Sequence, residues 1–327
     1  MPHPVPRRPL LGAALTLAAA PLAGRARAQE AWPNRPVRLV VPFAAGGSTD
    51  ILARLVSGPL GARLGQPVVV ENRGGAGGTI GADAVVKATD NHTLLMAAIG
   101  TASMNYALYK GSITFKPEDL VAVTQVARVP NIIIAAPSLP AKTLAEAMAL
   151  AKGKGGLTIG SPGSGTSNHL VGELLKEAAG VELIHVPFRG AGPMLAEVIA
   201  GRVDIAVDNL PSSLPHARDG RVRGLAVTGT QRVAALPDVP TVAEAGFPSV
   251  TASAWFGLQA PARMPRPAIE RVATELQAAL REPELRAKLA EQGAEPVGDT
   301  PEQFEAFIRE EIARWTAVIQ RGKITAE

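Results

Sequence analysis

The chain has 327 residues, with 33 basic and 29 acidic side chains and no cysteine; the missing thiol excludes disulfides, a cysteine nucleophile and thiolate metal sites. Four arginines, Arg7, Arg8, Arg25 and Arg27, fall in an acid-free opening segment, residues 1–28, so the other 299 residues carry 29 charges of each sign. A balanced remainder gives no reason to propose nucleic acid or an anionic membrane as partner.

The opening segment reads as an export signal, with Arg7-Arg8, an apolar run from Leu10 to Ala20, and small residues around Arg27 that place removal near Ala28. The adjacent arginines suit twin-arginine export, with general secretion as the alternative. No later run is apolar for long enough to cross a bilayer, and the length suits two domains or one large one.

Val37 to Leu55, VRLVVPFAAGGSTDILARL, is the stretch around which the rest of the chain is organised. An apolar strand passes through Pro42 and Gly46-Gly47, then Ser48 and Asp50 precede apolar positions at helical spacing. A glycine turn between strand and helix presents unpaired N–H groups, which suit a small carboxylate; a tight turn without a ligand is the other reading. Val68 to Glu71 predicts a strand, residues 72–78 a glycine loop that includes Gly77, Thr79 to Ala88 a helix, and Thr93 to Ala97 a strand. The glycine loop fits neither dinucleotide nor P-loop spacing, so no nucleotide cofactor is expected. Thr101 and Ser103 follow as polar candidates for a ligand, with turn and capping duty as the alternative.

Leu120 to Val129 reads as extended, and a second alternating set starts after Pro130. It includes Ile132 to Ala135 and Leu157 to Gly160 as strands, with Leu144 to Ala151 as the helix between them. Residues 160–170, GSPGSGTSNHL, then repeat the first turn's chemistry: Ser161, Gly163 and Gly165 bend the chain, and Thr166 or Ser167 caps a helix. Ser164 and His169 invite a serine hydrolase reading, but Pro162 occupies the first glycine position of a nucleophile elbow. The five histidines show no ligand spacing, so no metal is expected. Arg189, after the strand ending at Val186, suits a carboxylate or solvent, and Asp208, at the end of Val203 to Val207, suits a ligand hydroxyl or ammonium or a helix cap. Trp255 to Leu258 predicts a returning strand, and the tail is helical, with Phe304, Ile308, Ile312, Trp315 and Ile319 on one face.

Several pieces together resemble the Bug-type extracytoplasmic solute receptors, the substrate-binding components of tripartite tricarboxylate transporters. They are PVRLVVPFAAGGSTDILAR at 36–54, VVVENRGGAGGTIGAD at 68–83, IGSPGSGTSNHL at 159–170, VPFRG at 186–190, GRVDIAVDNLPS at 201–212 and WFGLQAPA at 255–262. The resemblance implies an α/β, two-lobed periplasmic binding protein fold of type II, with mixed sheets flanked by helices and an interlobe cleft. Lobe 1 would take residues 29–128 and 230–327, and lobe 2 residues 129–229. It further implies a periplasmic protein that catalyses nothing and captures a dicarboxylate, tricarboxylate or acidic amino acid for membrane permease subunits, with a membrane sensor as an alternative partner. Phe43, Gly46, Ser48 and Asp50 map to a first carboxylate loop, where the neighbours Ala45 and Gly47 join the candidates. Ser161, Gly165, Thr166 and His169 map to a second, joined by Ser167, and Asp208 maps to the far end of the pocket. Ala44-Ala45 and Phe188-Arg189 depart from the family's usual prolines and tyrosine-lysine pair.

Overall fold

The computed structural model describes residues 32–322 together with Met1, His3, Ile324 and Thr325, so the expected export signal lies outside the described residues. Strands and helices alternate as the apolar spacing predicts. The strands are β1 (Val37–Val41), β2 (Val68–Asn72), β3 (Thr93–Ala98), β4 (Leu120–Ala135), β5 (Leu157–Ser161), β6 (Leu183–Pro187), β7 (Ile205–Asn209), β8 (Arg223–Val227), β9 (Ser253–Pro261) and β10 (Glu295–Pro296). The helices are α1 (Ser48–Leu64), α2 (Thr79–Val86), α3 (Asn105–Leu108), α4 (Leu144–Lys154), α5 (Ser167–Ala179), α6 (Ala191–Ile199), α7 (Leu210–Arg218), α8 (Arg266–Arg281), α9 (Pro283–Glu291) and α10 (Pro301–Gly322).

Two mixed ladders share β4. In the first, β2, β1 and β3 run parallel, and β9 lies antiparallel between β3 and the first half of β4. In the second, β6, β5 and β7 run parallel, and the other half of β4 pairs antiparallel with β7 and β8. The break expected at Pro130 does not occur. Pro130 still faces Ser253 of β9, and Asn131 already faces Asn209 of β7, so the proline's missing N–H falls where the strand exchanges partners. Irregularities between Ala122 and Thr124 and between Gln125 and Ala127 bend β4 on its way there.

Each ladder has its own apolar core. One gathers Val40, Leu95, Met104, Trp255, Phe304 and Trp315, so the stripe on α10 packs inward against the first sheet. The other gathers Ile132 to Ile134, Leu157, Leu175, Val207 and Leu225. Val242 and Val250 pack into this second core as well, from the stretch expected to belong to lobe 1. We therefore propose that the return crossing lies at residues 251–253. Residues Pro33–Glu327 form one compact unit.

Candidate functional site

The loops that leave the carboxyl ends of β1, β3, β5, β6 and β7 converge between the lobes, where ligands of open α/β sheets bind. After β1 the chain turns through Gly46, whose φ of 81° suits glycine, and α1 begins at Ser48 with Gly47 as a cap that offers no side chain. Its first N–H groups therefore face the space in front of them without a side-chain acceptor. Asp50 is not part of that surface. It folds beneath the turn, where Oδ2 accepts from Gly46 N–H at 2.9 Å and Arg54 Nε at 3.0 Å, and Oδ1 accepts from Asn72 Nδ2 at 3.0 Å. Burial pushes its carboxyl up, but the hydrogen bonds from Arg54, Gly46 and Asn72 outweigh this and hold it below the ordinary value.

The second turn has the same outline and supports of another kind. Thr166 caps α5 by accepting from His169 N–H at 3.3 Å, and its hydroxyl donates to the Gly163 carbonyl at 2.7 Å. Gly165, at φ 77°, donates its N–H to His169 Nδ1 at 3.4 Å. His169 stacks on His185 with centroids 4.1 Å apart, and His185 Nε2 lies 2.7 Å from Ser161 Oγ. Burial, reinforced by His185, lowers the His169 pKa to about 4, so the ring is neutral and its Nδ1 is free to accept.

Two further helix starts complete the enclosure. Gly190 opens α6 and approaches the first lobe so closely that a Cβ on it would lie 2.9 Å from the Ala44 Cβ. Asn209 precedes α7, whose Ser212 donates its N–H to Ser48 Oγ at 3.1 Å across the cleft. Asp208 is wholly buried. Its Oδ2 accepts from Ser212 and Ser213 at 2.5 and 2.7 Å, and its Oδ1 has no partner among the described residues. Burial pushes its pKa up to about 6 despite those hydroxyls.

The enclosed cavity measures about 30 Å³, with room for a water or two. Of the sequence candidates, Phe43, Gly47, Ser48, Thr166, Ser167 and Asp208 line it. Ala45, Gly46 and Asp50 belong to the first turn but not to the wall, and Ser161, Gly165 and His169 support the second turn from behind. Thr101 and Ser103 spend their hydroxyls on the carbonyls of Ala98 and Ile99 within the π-helical turn Gly100–Met104. Gly77 and Arg189 line a separate outer cavity of about 180 Å³ that shares only Phe43 and Pro162 with the inner one. The sequence reading missed Thr49, Asn168, Gly190, Ala191 and Asn209 as wall residues, and also the apolar patch of Ile99, Ala254 and Phe256. Gly190 carried a usable signal, because it too stands between a strand and a helix.

Residues 52–324 match the model of the tripartite tricarboxylate transporter family receptor, TctC. The chain belongs to this family. BugT of Bordetella pertussis is 37% identical over 299 residues, which cover 89% of this chain and 90% of BugT. An R. palustris structure with adipate superposes with a TM-score of 0.86 at 38% identity, covering 90% of this chain and 99% of that one. MatC from Rhodopseudomonas palustris with bound malate gives 0.81 at 33% identity, covering 88% and 100%. This receptor of the TctC family thus has the two-lobed periplasmic-binding-protein fold.

Proposed function

We propose that the protein captures a small organic acid in the periplasm and delivers it to the permease subunits of a tripartite transporter. The observation that carries this reading is the convergence of four helix N-termini, those of α1, α5, α6 and α7, on one cavity whose only ionisable wall residue among the described residues is Asp208. Aligned N-termini favour an anion, and each N–H placed on a carboxylate adds a charge-assisted hydrogen bond of about 1.5 to 3 kcal/mol. We assign the carboxylate to the backbone of residues 47–49 and 166–168. Adipate and malate in the two similar structures support an organic acid as the class.

The other end of the ligand meets Asp208, whose unpartnered Oδ1 calls for a donor: a hydroxyl, an ammonium, or a carboxyl that keeps its proton. Asn168 and Asn209 stand beside it on the wall. Arg189 is exposed on the outer cavity and offers no counter-charge to a second carboxylate inside. A cavity of about 30 Å³ admits such a ligand only when its walls move apart, so capture involves opening and closing of the lobes. His169, with a pKa near 4, is a weak general base, which counts against hydrolysis through Ser164.

Calorimetry of the mature protein against di- and tricarboxylates, hydroxy acids, acidic amino acids and their amides tests the assignment. Stoichiometric binding of carboxylates is expected, lost in the corresponding amides, with Asp208→Asn reordering preferences among ligands that differ at the far end. Steady turnover of a panel member without stoichiometric binding would overturn the function, and an unchanged rank order in Asp208→Asn would overturn the role of that side chain.

A further inference from the structure

On the flank of the first lobe, away from the carboxylate cavity, α10 leaves a cleft of about 340 Å³ against α3 and β9. Its lining is mixed, with Leu120, Ile308 and Ile312 beside Tyr106, Gln259 and the charged Glu118, Glu305 and Arg309. Two buried polar atoms among the residues that line it have no partner among the described residues: the Tyr106 hydroxyl and Gln259 Oε1. Gln259 is only 2% exposed, so its acceptor is cut off from bulk solvent and is met from the cleft only when the side chain turns outward. Tyr106 stays a donor at any ordinary pH, because burial pushes its pKa up and the charges of Glu118, Asp119 and Glu305 add to the shift. A buried donor and a buried acceptor left unsatisfied cost free energy until something answers both.

The rim decides the charge of that something. Among the described residues that line it, Glu118 and Glu305 stand against one cation, Arg309, whose Nε lies 3.3 Å from Glu305 Oε1, so the lining carries one net negative charge. A negative rim disfavours a second copy of the carboxylate ligand. We propose that this cleft is a second binding site, for an uncharged aliphatic molecule ending in a carboxamide or hydroxyl, whose polar end meets Gln259 and Tyr106 and whose body lies along α10.

The site also touches the machinery of closure. Tyr106 lies on α3 beside Asn105, whose Nδ2 donates to the Gly77 carbonyl at 2.9 Å, and just before Tyr109, whose hydroxyl donates across the cleft to the Ser164 carbonyl at 3.1 Å. An occupant that pins Tyr106 therefore steadies the segment that reaches the second lobe. This link, unlike the site itself, rests on the carboxylate-binding function proposed above.

Crystals of the mature protein soaked with pentanamide, together with ligand-observed NMR titrations of pentanamide, 1-pentanol and pentanoate, test the site. The amide group is expected between Gln259 and Tyr106, and Gln259→Leu should weaken pentanamide about fivefold, as the loss of one neutral hydrogen bond does. Tyr106→Phe serves as a second variant with the same expectation. Ordered water only in the cleft at saturating pentanamide, or pentanoate bound there as tightly as the amide, would overturn the proposal. For the link, saturating pentanamide should raise affinity for whichever carboxylate the calorimetric panel identifies by roughly two- to threefold, and the carboxylate should raise pentanamide affinity by the same factor. Unchanged affinities would overturn the link. A protein that binds pentanamide in this cleft but no carboxylate would overturn the proposed function and leave the second site standing.

Discussion

The two glycine turns present the same face to the cavity and are held from behind by opposite means. The first is tied by a charge: the Asp50 carboxylate gathers Gly46 N–H, Arg54 and Asn72. The second is tied without a carboxylate, with Gly165 N–H on His169 Nδ1, His169 stacked on His185, and His185 on Ser161. The surroundings differ as well. A Cβ on Gly46 would meet nothing within 4 Å, whereas one on Gly165 would lie 2.6 Å from Asn105 Oδ1. Similar strand–turn–helix geometry thus leaves room for different tolerance to substitution and different responses to acid.

The largest break in this pairing is expected from alanine at the two glycines. Both have φ near 80°, so each variant carries the left-handed strain of about 1 to 2 kcal/mol. Gly165→Ala adds the collision with Asn105, for a total loss of roughly 3 kcal/mol of folding stability, while Gly46→Ala stays at about 1 to 2 kcal/mol. Equal losses in thermal unfolding would show that crowding around the second turn is without consequence.

A smaller effect separates the turns by pH. His169 titrates near 4 in the folded chain against an ordinary 6.5, so the unfolded chain takes up the proton first as pH falls. Folded stability is full above 6.5 and declines between 6.5 and 4, by on the order of 2 kcal/mol. Asp50 has the reverse assignment: its stabilisation is present above the ordinary carboxyl value and is lost only as pH falls through its lowered folded value, so the first turn stays tied across the same window. Thermal unfolding of His169→Gln between pH 7 and 4 should be several degrees flatter than that of the unmodified chain, and parallel curves would remove His169 as the cause.

The smallest effect sharpens the comparison by a substitution within the second turn. Ser164 contributes its carbonyl at the cleft, accepting from Tyr109, and that carbonyl survives Ser164→Ala. Carboxylate affinity is expected to stay within about twofold, less than the value of one neutral hydrogen bond. A loss beyond tenfold would give the hydroxyl a direct part in binding.

Sequence made the turns visible because everything that defines them is local: an apolar strand, one or two glycines, and a serine or threonine before a helical stripe. The same locality hid their division of labour. Asp50 and Ser48 are two residues apart, yet one faces Asn72 beneath the turn and the other Ser212 across the cleft, and only packing of distant segments sends them apart. Sequence marks His169 and Arg189 as candidate ligand contacts, and only the structure shows His185 stacked on the one and the outer cavity beside the other. Ile99, Ala254 and Phe256 carry no chemical mark that separates a cavity wall from ordinary core. Pro130 misled for a related reason, since proline signals a break within one ladder and says nothing about a strand that passes from one ladder to another.

The placement of β9 between β3 and β4 has a consequence for how the protein comes to be made. Synthesis runs from the amino end, so the first lobe is begun first and finished last, because one of its interior strands waits for Ser253–Pro261 in the final third of the chain. Until then β3 and the first half of β4 stand as two unpaired edges, open to any strand nearby. A nascent or truncated chain is exposed to mispairing throughout that interval, and it is during this interval that a chaperone has most to protect.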